Sequence, residues 1–267
     1  MSNELSPMKA QVYSDPRPKE HFDRFHERSR TRDPDWAYEL TRISTSLVAY
    51  TFFRARAISP EKVPGSGPVI LAPNHFSFMD HFLLGAYLRR KVRFMAKSQM
   101  FKRGLLQFIY THGGVFPVRR GARDDEAFIT AQTILGRGGA VVMYCEGGRS
   151  RTGELADTAK PGIGRLALQT GATVVPLAIY GSSKVRNWKR LEFPKVTIQY
   201  GDPIAFELVP EPTRAQQQAV ADDIFTEIRE LYTGLEAHGR RGVVQRLRQQ
   251  RRDARRAARQ AARAAQA

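Results

Sequence analysis

The sequence predicts an α/β fold, a single layered domain whose largely parallel sheet is flanked by helices, preceded by an N-terminal amphipathic helix. Three observations predict it. Apolar, β-branched runs recur at Val69–Ala72, Val92–Met95, Ala140–Cys145, Thr173–Tyr180 and Val196–Tyr200. Helix-like stretches lie between several of them, at Phe78–Arg90, Met100–Tyr110, Asp124–Leu135 and Gly162–Gln169. Strands alternating with helices favour a parallel sheet, because each crossover needs a helix to return the chain. Ahead of the first run, Trp36, Leu40, Ile43, Leu47 and Tyr50 recur at helical spacing.

Residues 1–33 are polar, hold Pro7, Pro16 and Pro18, and read as a flexible start without the apolar core of a secretion signal. Residues 34–57 form the amphipathic helix, with Val48, Phe52 and Phe53 widening its apolar face. Its apolar run falls short of the ~20 residues that span a bilayer, so it either packs on the domain or lies in a membrane interface. Residues 58–239 make the domain, closed by a helix with Val220, Ile224, Ile228, Leu231 and Leu235 on one face. Residues 240–267 carry ten arginines against one acid, Asp253, with no large apolar side chain beyond Leu247.

With 267 residues, 42% apolar and 26% charged, the chain is neither disordered nor fibrous. Its net charge of +17 points to an anionic partner, and more than half of it lies in the tail. That tail reads either as a solvated, partly helical segment or as a contact for an anionic lipid surface. Nucleic acid is the minor alternative, since no recognisable nucleic-acid-binding module accompanies the basic run. One cysteine, Cys145, excludes an intrachain disulfide and disfavours a cysteine-rich zinc site. No metal site is expected.

Chemistry concentrates at strand ends. Asn74 and His75 fall just after a buried strand, Ser77 begins the next helix, and Asp80 follows three residues later. Ser-x-x-Asp is a capping box, which by itself accounts for Asp80. A carboxylate on one imidazole nitrogen also leaves the other basic, able to take a proton from an alcohol near neutral pH. Ser77 lacks the Gly-x-Ser-x-Gly elbow of a covalent nucleophile. Glu146-Gly147-Gly148-Arg149 follows the third run, where glycines let backbone N–H groups meet an anion and Arg149 supplies a planar cation. Arg119, Arg120 and Lys97 also follow strand ends, the edge at which open α/β sheets bind ligands. Gly162-Ile-Gly matches a dinucleotide pattern only loosely, because no strand leads into it. Cys145 reads as a small strand residue rather than an acyl carrier.

Asn74-His75-Phe-Ser-Phe-Met-Asp80 resembles the His-x4-Asp motif of the 1-acyl-sn-glycerol-3-phosphate acyltransferase family. Phe94–Ser98, Gly114–Arg120, Glu146–Arg151, Lys160–Gly162 and Val174–Ile179 match further motifs in family order, over about residues 60–205. The resemblance implies a glycerol-3-phosphate acyltransferase-like fold with a mixed, largely parallel sheet. It implies transfer of a fatty acyl group from acyl-CoA or acyl carrier protein to the hydroxyl of a lysophosphatidate-like acceptor, with no cofactor beyond that thioester. His75 would be the general base and Asp80 its orienting partner. Glu146, Gly147, Gly148 and Arg149 would form the acceptor site, Arg149 holding phosphate, with Arg119 or Arg120 and Lys97 adding charge. The third motif usually reads Phe-Pro-Glu-Gly-Thr-Arg; here Gly148 replaces Thr, which leaves another lysolipid acceptor as the alternative. A non-catalytic lipid- or nucleic-acid-binding protein on the same fold is the rival reading. The expected location is the cytoplasmic side of the cell membrane, held peripherally.

Overall fold

The computed structural model describes residues 5–8, 14–119 and 124–264. Seven strands form one sheet: β1 (Arg56–Ile58), β2 (Val69–Pro73), β3 (Arg93–Lys97), β4 (Val115–Val118), β5 (Ala140–Val142), β6 (Thr173–Tyr180) and β7 (Thr197–Tyr200). Their order is β1-β7-β6-β2-β5-β3-β4. All neighbours are parallel except β6 and β7, so β1 and β7 run against the other five and the sheet is mixed. The central strand β2 is buried at all five positions, the signature of a strand covered on both faces.

Alternation along β2 divides the core. Val69 and Leu71 face Ala49 and Phe53 of α2 (Trp36–Thr51) with its following turn, and Leu83 and Leu84 of α3 (Asp80–Gly85). Ile70 and Ala72 face the opposite layer, made by α5 (Asp125–Gly136), α6 (Gly162–Thr170) and α7 (Arg214–Ala264). Asp35 starts α2 by accepting the Ala37 N–H at 3.0 Å. The apolar face that spacing predicts for α2 points largely outward: Trp36, Ile43 and Leu47 are 62%, 65% and 66% exposed. No helix among the described residues is long and apolar enough to cross a membrane.

Several boundaries differ from expectation. Residues 19–31 are not flexible: α1 (Asp23–Thr31) buries Phe25, and the 3-10 turn before it buries Phe22, against Phe101. Helix α2 stops at Thr51, and the segment expected to continue it contains β1 instead. The break sits at Arg54, whose φ of 43° no α-helix holds. The predicted helix Phe78–Arg90 contracts to Asp80–Gly85, ending at a glycine, a poor helix former. The helix expected from Met100 begins only at Leu105, as α4 (Leu105–His112), because Gly104 before it has φ +117°. The run Ala140–Cys145 is a strand only to Val142.

The basic tail is not wholly solvated. Helix α7 kinks at Gly239 (φ 60°, ψ 175°) and continues. Past the kink, Val243 and Leu247 pack with Ile58 and Ala178, Arg240 donates to the carbonyls of Arg54 and Val196, and Arg251 pairs with Glu61. From Arg252 to Arg263 the helix is exposed on every side.

Candidate active site

Strand β2 delivers its chain into a turn tied down at both ends. The buried Asn74 side chain mimics a peptide group, accepting from Ile179 N at 2.7 Å and donating to Ile179 O at 3.2 Å. One oxygen of Asp80, Oδ2, receives three groups at 2.8 Å each: His75 Nδ1 and the backbone N–H groups of Phe76 and Ser77. Capping the turn and orienting the imidazole are therefore one function of one carboxylate. Asp80 is fully buried and His75 is 4% exposed. The Ser77 hydroxyl accepts from Met79 N at 3.1 Å, a local turn contact.

The segment after β5 wraps the same histidine. Tyr144 stacks on the His75 ring, with centroids 3.9 Å apart and planes 22° from parallel. Its hydroxyl meets His81 Nδ1 at 3.2 Å, and burial holds that hydroxyl's pKa well above the usual phenol range. Glu146 Oε2 accepts from the His75 N–H at 2.7 Å, and Oε1 accepts from Ala156 N at 3.1 Å. Ser150 N donates to His75 O at 2.8 Å. Gly147 allows the turn between them, with φ +68° and the Lys160 side chain 3.1 Å from where a Cβ would sit. Burial raises the Glu146 pKa to about 7 against the opposing effect of its two N–H donors.

His75 opens onto a cavity of about 280 Å³ bounded by α2, α3, β3 and α4. Phe78, Phe82, Phe94, Met95, Ile109 and Val115 make it mostly apolar, while Lys97 and Arg149 supply cations. Of the residues predicted from sequence, His75, Lys97 and Arg149 thus line one cavity. Glu146 does not belong with them as an acceptor ligand, because both its oxygens are turned to backbone amides. Gly147 and Gly148 shape the loop and do not line this cavity. Arg119 does not line it either; its N–H donates at 2.6 Å to Asp124, the residue that caps α5. Arg120 lies outside the described residues.

A family model described as Acyltransferase matches residues 54–180. The chain is 27% identical over 149 residues to a chloroplastic 1-acyl-sn-glycerol-3-phosphate acyltransferase of Arabidopsis thaliana, covering 55% of this chain and 41% of that protein. It is 26% identical to a chloroplastic 1-acyl-sn-glycerol-3-phosphate acyltransferase of Brassica napus, over 55% of this chain and 43% of the relative. The crystal structure of the 1-acyl-sn-glycerophosphate acyltransferase of Thermotoga maritima has the same fold. Its TM-score is 0.57 at 22% identity, over 79% of this chain and 88% of that one. Over residues 54–180 the chain is therefore similar to acyltransferases, among them the two plant 1-acyl-sn-glycerol-3-phosphate acyltransferases. It spans about two fifths of the length of the two plant relatives.

Arg186 lies outside every motif read in the sequence. Its guanidinium donates to Phe76 O (3.3 and 3.1 Å), to Arg151 O (2.8 Å) and to Ser150 O, and so bolts the His75 turn to the Arg149 loop. Burial and the neighbouring Arg149 charge both lower its pKa. The partnership of Tyr144 with His81 was equally unannounced, since an aromatic at the end of a buried strand reads as core.

Proposed function

We propose that the protein transfers a fatty acyl group from a thioester donor, acyl-CoA or acyl carrier protein, to the free hydroxyl of a lysophosphatidate-like acceptor. The observation that carries this reading is the His75–Asp80 pair set at the wall of an apolar cavity that Arg149 also lines. Asp80 occupies Nδ1, which leaves Nε2 as the basic nitrogen. Nε2 takes the proton of the acceptor hydroxyl as its oxygen attacks the thioester carbonyl carbon. The tetrahedral adduct then expels the thiolate, breaking the C–S bond, and the imidazolium returns the proton to sulfur. An ester and a free thiol are the products, and His75 ends as it began.

The apolar cavity suits the donor's acyl chain, and Arg149 suits the acceptor's phosphate, for which a guanidinium offers paired donors. The exposed apolar side chains of α2 supply a surface that lies in a bilayer interface, where acceptor and product both reside. A peripheral position on the cytoplasmic side of the membrane completes the reading. The direct test is acyl transfer by purified protein across acyl-CoA and acyl carrier protein donors and acceptors with and without phosphate. Transfer that is fastest to the phosphate-bearing lysolipid supports the proposal; no transfer with any donor refutes it.

A further inference from the structure

A transfer between two lipids brings two hydrocarbon chains to one site, and the cavity beside His75 is one apolar hollow of about 280 Å³. Immediately across Phe78 lies a second trough of about 550 Å³. Phe52, Phe53, Val185 and Phe193 give it apolar walls, and Trp188 stands at its rim, 56% exposed. It shares Phe78 and Arg149 with the His75 cavity, so the two hollows adjoin at these two side chains. Arg186 also lines it, close enough to Arg149 that the two charges repel. An anion held at that junction relieves this repulsion, and a chain attached to the anion then lies along aromatic side chains.

We infer that this trough binds the hydrocarbon chain of the lysolipid acceptor, with the acceptor's phosphate at the Arg149–Arg186 junction and the donor's chain in the separate cavity beside His75. The inference rests on the acyl-transfer reading. Its physical content is a division of labour: each substrate has its own apolar wall, and the hydroxyl and thioester meet between them. The trough's size falls within the ~300–1,000 Å³ usual for small-molecule sites.

The chain has two tryptophans, so Trp36→Phe leaves Trp188 as the sole reporter; Trp36 is exposed and its loss spares the core. Lysophosphatidate brominated along its chain, added below its micelle concentration, is expected to quench Trp188 saturably, and unbrominated lysophosphatidate to reverse the quenching. Acyl-CoA brominated on its acyl chain is expected to leave Trp188 bright. Val48→Gln, at the rim of the same trough, should raise the acceptor KM about tenfold and leave the donor KM unchanged. Quenching by the thioester in place of the lysolipid would reverse the assignment and overturn the inference, as would turnover without any lysolipid quenching. Saturable lysolipid quenching in a protein that transfers no acyl group would instead uphold the trough and refute the catalytic reading.

Discussion

The Glu146 carboxylate holds the main chain of His75, with Oε2 2.7 Å from the histidine's N–H. Its other oxygen ties the same side chain to Ala156. A group that binds acceptor would face the cavity, whereas this one sets where His75 stands. Glu146→Gln turns one acceptor into a donor and orphans a buried N–H, a loss of about 1.5–3 kcal/mol for a hydrogen bond to a charged group. If alignment of His75 bears that cost, kcat falls roughly 10- to 100-fold while the acceptor KM stays within about twofold. Steady-state kinetics separates the two, since an acceptor ligand would raise KM.

The same residue predicts a pH dependence. Its folded pKa of about 7 stands above the ordinary 4.5, so between these values the folded state holds a proton the unfolded chain has lost. Stability conferred by this group is complete below about pH 4.5 and falls as pH rises through about 7. Activity should move the opposite way, because the ionised carboxylate is the better acceptor for both N–H groups. Thermal unfolding from pH 4.5 to 8 should show this downward slope in the native protein and lose it in Glu146→Gln.

Replacing His75 tests the proposed chemistry directly. His75→Ala should lower acyl transfer roughly 100-fold or more, the usual worth of a general base, with vesicle binding intact. Asp80→Asn should cost at least as much, because one oxygen orients the imidazole and caps the turn. Unchanged turnover in His75→Ala would remove the mechanism.

Arg149→Gln should raise KM about 10- to 100-fold for an acceptor bearing a free phosphate, the range expected for losing a charged hydrogen bond. An otherwise matched acceptor without phosphate should show no such penalty. Equal effects on both would sink the phosphate role.

Arg186→Met should lower Tm and kcat together, since three backbone carbonyls on two loops lose their donor. Arg186→Lys should restore little, because a single ammonium lacks the fork that reaches both loops. Full rescue by lysine would show that charge alone matters.

The proposed membrane contact would divide between two elements. Leu40→Ser with Ile43→Ser and Leu47→Ser should weaken binding to neutral and anionic vesicles alike, because all three side chains are exposed. Truncation after Arg251 removes five exposed arginines and should weaken binding only to anionic vesicles, by up to about 1 kcal/mol for each arginine that reaches the surface. Truncation after Gly239 should also lower Tm, since Val243 and Leu247 cover Ile58 and Ala178. Co-sedimentation with vesicles of both compositions reads these outcomes.

Local pattern determined much of this protein. The buried run at β2, the strand at Thr173–Tyr180 and the helix from Gly162 all follow from side-chain periodicity, which acts over a few residues. His75 and Asp80 were legible for the same reason: five residues separate them, and one turn closes the distance. Only the tertiary structure decided what depends on partners far along the chain. It turned Glu146, 71 residues from His75, onto a backbone amide, and brought Arg186 to carbonyls 110 and 36 residues away. It docked Val243 on the edge of the sheet and left Arg119 away from the cavity. A hydrogen bond's direction and a side chain's burial depend on which surfaces meet, and that is settled only when the whole sheet is assembled.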